Sequence, residues 1–281
     1  MNLDDTSKIT GFSDSICNCT SCNHKVASEC MKVNCSCCKE INHSMVLDGI
    51  EGFTPQENKN ENEKQLVQVS VGQAILEGNL SVPKNPKGIV LFAHGSGSGR
   101  HSPRNKYVAE VLQDAGIATL LIDLLTEEEE KIDLQTRHLR FDIDLLARRL
   151  IGATDWLKQN FQIKNLNIGY FGASTGAAAA LVAAAQRQKI IKAIVSRGGR
   201  PDLAGSENLS RVQAPTLLII GGNDEPVIEM NKDVFKQLTN LEDNEKKKKI
   251  IIVPGATHLF EEPGKLEEVA DLAKDWFQNN F

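Results

Sequence analysis

Three observations predict an α/β fold built on a mostly parallel sheet. From Leu66 onward, short apolar runs alternate with segments of helical periodicity. The run Gly88 to Ala93 is apolar without alternation, as a strand covered on both faces is. The pentapeptide Gly172-Ala173-Ser174-Thr175-Gly176 stands where a strand-forming run, Leu166 to Phe171, gives way to an alanine-rich helix.

Taken in order, Leu66 to Val71 and Ala74 to Val82 are expected to pair antiparallel through a turn at Gly72-Gln73, and Gly88 to Ala93 to form a buried strand. Ser102 suits an N-cap, with Pro103 at the first helical position. Tyr107, Val108, Val111, Leu112 and Ala115 give that helix one apolar stripe, which Gly116 ends. Ile117 to Leu121 is the next strand. A long helix is predicted over His138 to Gln159, because Leu139, Ile143, Leu146, Leu150, Ala153 and Leu157 recur at steps of four and three. Asn165 to Phe171 leads into the pentapeptide, and Ala177 to Ala185 makes a helix small enough to pack closely on a sheet. Ile191 to Val195, Thr216 to Ile220 and Lys249 to Val253 are further strands, followed by a C-terminal helix with Leu266, Val269, Ala273 and Trp276 on one face. Two charge runs, Glu127 to Glu130 and Lys246 to Lys249, read as solvated loop faces.

The chain has 281 residues, 41% of them hydrophobic and 25% charged, with a net charge of −5. That balance offers no broad basic face and argues against nucleic acid as a partner. The longest apolar runs, such as 214–220, are too short to span a bilayer, and the first residues lack the charged and apolar parts of a secretory signal. A cytoplasmic protein with no membrane partner is expected. Composition divides the chain into a cysteine-rich segment over 1–50, a polar linker over 51–64 and an α/β domain over 65–281.

The pentapeptide reads as a nucleophile elbow, in which a tight turn holds the serine hydroxyl above the sheet edge; an ordinary Gly-rich turn is the alternative. A serine hydroxyl needs a histidine to take its proton and a carboxylate to orient that histidine, and in elbow proteins these follow the nucleophile in the order acid, then histidine. Of six histidines only His258 comes after Ser174, in a loop directly behind a predicted strand. Asp224, in the loop after Thr216 to Ile220, is the candidate acid; Asp202 is the second candidate, and Asp224 also suits a simple turn. The backbone amides of Thr175 and Ser96 are the candidate oxyanion donors, Ser96 lying in the loop His94-Gly95-Ser96-Gly97-Ser98-Gly99. A phosphate cradle is the competing account of that loop, although its glycine spacing fits neither nucleotide-binding fingerprint.

With these four ordered motifs, His94 to Gly97, Gly172 to Gly176, Gly222-Asn223-Asp224 and Gly255-Ala256-Thr257-His258, residues 66–281 resemble the α/β-hydrolase superfamily and, within it, the dienelactone hydrolase-related branch. The resemblance implies an eight-stranded, mostly parallel sheet flanked by helices, and esterase-type chemistry without a catalytic cofactor on a small-molecule acyl ester. Dienelactone hydrolases proper carry cysteine in the elbow, where this chain has Ser174. The segment Ser196 to Asp202 is similar to one in a subgroup of these hydrolases, some fused to phosphoribosyltransferases. Its Arg197 and Arg200 suit a clamp on a substrate carboxylate or phosphate, or else brace the loop. About twenty residues separate Val195 from Thr216, too few for a large lid, so an open site is expected.

All seven cysteines fall in 17–38. Cys17, Cys19, Cys22, His24, Cys30, Cys35, Cys37 and Cys38, with His43 beyond, offer thiolates and imidazoles at metal-ligand spacing, and the opening Cys-x-Cys-x-x-Cys-x-His is similar to bacterial metallothioneins. Zinc is the expected metal ion, at one site with spare ligands or in a small thiolate-bridged cluster, with copper(I) the alternative. Two functional classes follow: a serine hydrolase acting on small carboxylic esters or thioesters, or a metal-binding or metal-sensing protein using a hydrolase-like domain as a scaffold.

Overall fold

The computed structural model describes residues 63–281 except 161, 162, 243 and 245. The expected metal ligands from Cys17 to Cys38, the cysteine-rich segment 1–50 and nearly all of the linker lie outside the described residues.

Eight strands form one sheet in the order β1-β2-β4-β3-β5-β6-β7-β8. They are β1 (Glu63–Val71), β2 (Ala74–Val82), β3 (Gly88–Ala93), β4 (Ala118–Ile122), β5 (Asn167–Ala173), β6 (Ile191–Arg197), β7 (Thr216–Gly221) and β8 (Lys248–Val253). β2 runs antiparallel to both β1 and β4, and all other neighbours are parallel. β3, β4 and β7 are buried at every residue, which is why their sequences show no alternation.

Seven α-helices accompany the described sheet: α1 (Pro103–Asp114), α2 (Glu127–Thr136), α3 (Ile143–Gln159), α4 (Thr175–Gln186), α5 (Ser206–Arg211), α6 (Glu225–Gln237) and α7 (Lys265–Asn280). One apolar cluster joins α3 and α4 to one face of the sheet through Leu146, Leu150, Ala178 and Leu181, with Leu91 and Ile168 opposite. A second joins α1 and α7 to the other face through Val108, Leu112, Val269 and Phe277, against Val90 and Val195. The chain leaves β3 toward β4 over one face and returns to β5 over the other, so a crevice opens between the ends of β3 and β5.

Three sequence expectations change. The helix expected from His138 begins at Ile143, because the Asp142 side chain caps it by accepting from Leu145 N at 2.9 Å; Leu139–Phe141 is a separate 3-10 turn. Glu127 to Glu130 is the first turn of α2, closed by a reciprocal capping box between Thr126 and Glu129. Lys248, in the second charge run, is buried in β8 with its ammonium 4.8 Å from the Phe235 ring centroid.

Candidate active site

Ser174 follows β5 and stands at the N-cap position of α4 with φ 49° and ψ −122°, a conformation that costs free energy in a non-glycine residue. Close packing forces it. A Cβ on Gly176 would sit 2.1 Å from Ala93 O, and one on Gly172 would sit 2.5 Å from Ala177 Cα. Only glycine lets the start of α4 touch the end of β3 and fold back on its own strand. Every residue from Thr175 to Ala185 is buried, and apart from Leu181 and Val182 all of them are small, so α4 fits closely against the sheet.

The loop after β3 reaches the serine directly: a Cβ on Gly95 would lie 2.9 Å from Ser174 Cβ. His94 braces this loop. Its Nε2 accepts from Leu124 N at 3.0 Å, which leaves Nδ1 to donate to Gly95 O at 3.0 Å. Burial pushes the His94 pKa below the usual histidine value and keeps the ring neutral, although Gly95 O and Asp123 oppose the shift. Arg100, at the end of the loop, is tied to Asp123 and Glu77. The amides of Ser96 and Thr175 have no acceptor among the described residues. Unpaired donors beside a nucleophile are what a developing oxyanion needs.

On the far side of the serine, the loops after β7 and β8 join. Asn223 N donates to Ala256 O at 2.9 Å, and His258 Nδ1 donates to Asp224 Oδ2 at 2.7 Å. This bond leaves Nε2 free to accept a proton. Ser174 Oγ makes no hydrogen bond to His258 or to any other described residue. Both flank the turn after β6: Ser174 N donates to Arg197 O at 3.4 Å, and a Cβ on Gly198 would lie 3.6 Å from His258 Cε1. Asp202, the second candidate acid, is engaged elsewhere, by Arg200.

Residues 76–281 match the model of the dienelactone hydrolase family. The chain belongs to that family. A dienelactone hydrolase from Anabaena variabilis, known from its crystal structure, is 61% identical with a TM-score of 0.74, over 78% of this chain and 99% of that one. Est1E from Butyrivibrio proteoclasticus shares the fold at 18% identity and a TM-score of 0.63, over 76% of this chain and 98% of that one. A protein of Mycobacterium tuberculosis described as a putative phosphoribosyl transferase is 57% identical over 211 residues, 75% of this chain but 45% of that protein. The chain thus spans under half the length of that curated relative. The fold is the α/β-hydrolase type. Among the described residues no helix is long and apolar enough to cross a membrane.

In this dienelactone hydrolase family member the two arginines at and after the end of β6 are differently held. Arg200 forms a two-pronged pair with Asp202, at 2.9 and 2.8 Å. Arg197 is 6% exposed, donates to Asn105 Oδ1 at 3.2 Å, and has a buried Nε with no partner. Burial, and then the neighbouring Arg104, push its pKa down to about 10.

Sequence reasoning missed the wall opposite Ser96. The turn after α2 brings Arg140 Nε to 2.5 Å from Asp133 Oδ2, and Arg140 N also donates to Asp133 Oδ1. Burial raises the Asp133 pKa, but the Arg140 amide and guanidinium outweigh it and hold the carboxyl below its usual value. The signal for α2 was present in Thr126-x-x-Glu129, a capping-box spacing hidden by the acidic run around it. No spacing could have announced the contact between Arg140 and the oxyanion loop.

Proposed function

We propose that this chain is a serine hydrolase of small carboxylic esters or thioesters, working through an acyl-Ser174 intermediate. His258 takes the Ser174 proton and returns it to the leaving group, while Asp224 orients the imidazole through Nδ1–H. The Thr175 and Ser96 amides stabilise the tetrahedral oxyanion. The observation that supports this reading best is the 2.7 Å bond between His258 and Asp224, residues 34 apart in sequence, beside the turn that also holds Ser174. The reading requires Ser174 Oγ to come within hydrogen-bond reach of His258 Nε2. The test is a fluorophosphonate probe: it labels the wild type and not Ser174→Ala, and equal labelling of the two refutes the proposal.

Arg197 and Arg200 remain proposed contacts for a substrate anion on the sequence argument. Arg200 presents its two-pronged face to Asp202, whereas Arg197 uses only Nη2 on Asn105. The phosphoribosyl transferase name belongs to a protein mostly outside the match and is not carried over.

A second reading rests on the confinement of all seven cysteines to 17–38. We propose that Cys17, Cys19, Cys22, His24, Cys30, Cys35, Cys37 and Cys38 bind zinc in a cytoplasmic protein, either alongside hydrolysis or as a metal-responsive module on a hydrolase-like scaffold. Metal analysis of the full chain against a variant with Cys17, Cys19 and Cys22 changed to serine decides the first point. Absent ester turnover, together with metal loading that alters a partner interaction, supports the scaffold.

A further inference from the structure

We propose that the crevice between the oxyanion loop and α2 receives the acyl substituent of the substrate, and that it selects an uncharged chain carrying a hydrogen-bond acceptor, with Arg140 as the specificity-determining residue. The proposal rests on the hydrolase reading above and names its substrate class.

The crevice has a volume of about 240 Å³. That is roughly eight water volumes, enough for a substituent of five or six heavy atoms. Ser96 and Thr175, whose amides are the proposed oxyanion donors, line its mouth. Its side follows from the direction of the chemistry. The leaving oxygen must meet His258, which arrives from the end of β8, because that oxygen takes its proton from Nε2. The crevice opens beside the β3 loop, on the opposite flank of Ser174 in the strand order. With the oxyanion on the two amides and the leaving group toward His258, the remaining substituent of the tetrahedral carbon points into the crevice.

The lining then sets the chemical class. Leu125, Leu134 and Leu146 contribute apolar lining, and Glu130, Asp133 and Arg140 polar lining. Asp133 and Arg140 neutralise each other, His94 is held neutral, and Glu130 leaves an excess of one negative charge. An acyl carboxylate is therefore repelled. Asp133 occupies Nε and Nη2 of Arg140, whereas Nη1 has no acceptor among the described residues and lies 3.4 Å from where a Gly97 Cβ would be. A neutral carbonyl on the acyl chain is the acceptor that position suits, since it takes the hydrogen bond without facing Glu130 as an anion.

Three 4-nitrophenyl esters of nearly equal shape test this: 4-methylpentanoyl, 4-oxopentanoyl and 3-carboxypropanoyl, each corrected for spontaneous hydrolysis. In the full-length protein, kcat/KM for the 4-oxopentanoyl ester is expected to exceed that for the 3-carboxypropanoyl ester at least tenfold. Arg140→Met is expected to lower the ratio of 4-oxopentanoyl to 4-methylpentanoyl turnover about tenfold, chiefly through KM. Arg140→Lys keeps a cation beside Asp133 but loses Nη1, and is expected to lower the same ratio, which covers the case in which the methionine variant does not fold. A preference for the carboxylate ester that vanishes in Arg197→Ala or Arg200→Ala overturns the proposal and moves acyl recognition to the end of β6. So does a ratio unmoved by both Arg140 variants. Loss of fluorophosphonate labelling at Ser174 in the wild type is a separate failure, of the hydrolase reading itself.

Discussion

The two walls of the candidate site are built in opposite ways. On one side, α4 follows the elbow with eleven consecutive buried residues from Thr175 to Ala185, and its first turn touches the backbone of β3. On the other, α2 buries only Asp133 and leaves Ile132 52% and Leu134 67% exposed. The first wall is held by close packing, in which Gly176 has no room for even a Cβ against Ala93 O. The second is held by ion pairs of Asp133 with Arg140 and of Glu129 with Arg149, a capping box and the short turn that carries Arg140. Apolar contacts are numerous and mutually reinforcing, whereas a few ion pairs act at separate points. On the proposed reading, the closely packed side positions the nucleophile and the sparsely buried side chooses the acyl group, where local opening costs least.

The largest expected effect lies in the rigid half. Asp224→Asn leaves the loops in place but favours the wrong imidazole tautomer, so kcat is expected to fall roughly 10⁴-fold with KM little changed, measured by steady-state ester hydrolysis. A loss under tenfold removes Asp224 from its proposed role. Next, Gly176→Ala drives a methyl group into Ala93 O and is expected to cost about 3 kcal/mol, read from urea unfolding, with labelling of Ser174 lost as well. Normal stability in that variant breaks the contrast between the two walls.

In the compliant half the effects should be smaller and local. Asp133→Asn removes the carboxylate that holds Arg140, which is partly exposed; about 1–2 kcal/mol is expected. Hydrogen exchange should quicken over 127–141 while α4 keeps its protection, and uniform quickening contradicts the division. Thr126→Ala removes the cap of α2 at a cost of about 1 kcal/mol, visible in the same exchange experiment and nearly silent in the global transition.

The smallest effect is a pH dependence at the seam between the walls. The folded pKa of His94 lies below its unfolded value of 6.5, so the unfolded chain binds the proton more readily. Its contribution to stability is therefore complete above pH 6.5 and declines as the pH falls from there toward the folded pKa. Thermal unfolding between pH 7.5 and 5 should show this slope in the wild type and a shallower one in His94→Gln. Equal slopes would mean that the ring takes up a proton without loosening the loop.

Most of the sheet and the serine turn were legible because their signals are local. Continuous apolar strands report burial on both faces, and the spaced glycines report close backbone approach. Ser174, Asp224 and His258 were legible from their order, since each follows a predicted strand of a parallel sheet and so emerges at the same edge. The N-terminus of α3 was not, because the 3.6-residue period of Leu139 continued across the Asp142 cap. Helix α2 was hidden because four adjacent glutamates resemble a solvated loop until the Thr126 cap is noticed.

By itself, then, the amino-acid order determined the layered fold, the position of the turn and the order in which Ser174, Asp224 and His258 follow their strands, all of which depend on periodicity and on neighbours in the chain. Tertiary structure alone decided that Arg200 is committed to Asp202, that Arg197 is buried against Asn105, and that Arg140 reaches the loop bearing Ser96. Those outcomes depend on which charged side chains meet after the backbone has closed. A guanidinium carries the same charge in any sequence, and only its neighbours in space determine whether that charge is spent on a carboxylate or left for a ligand.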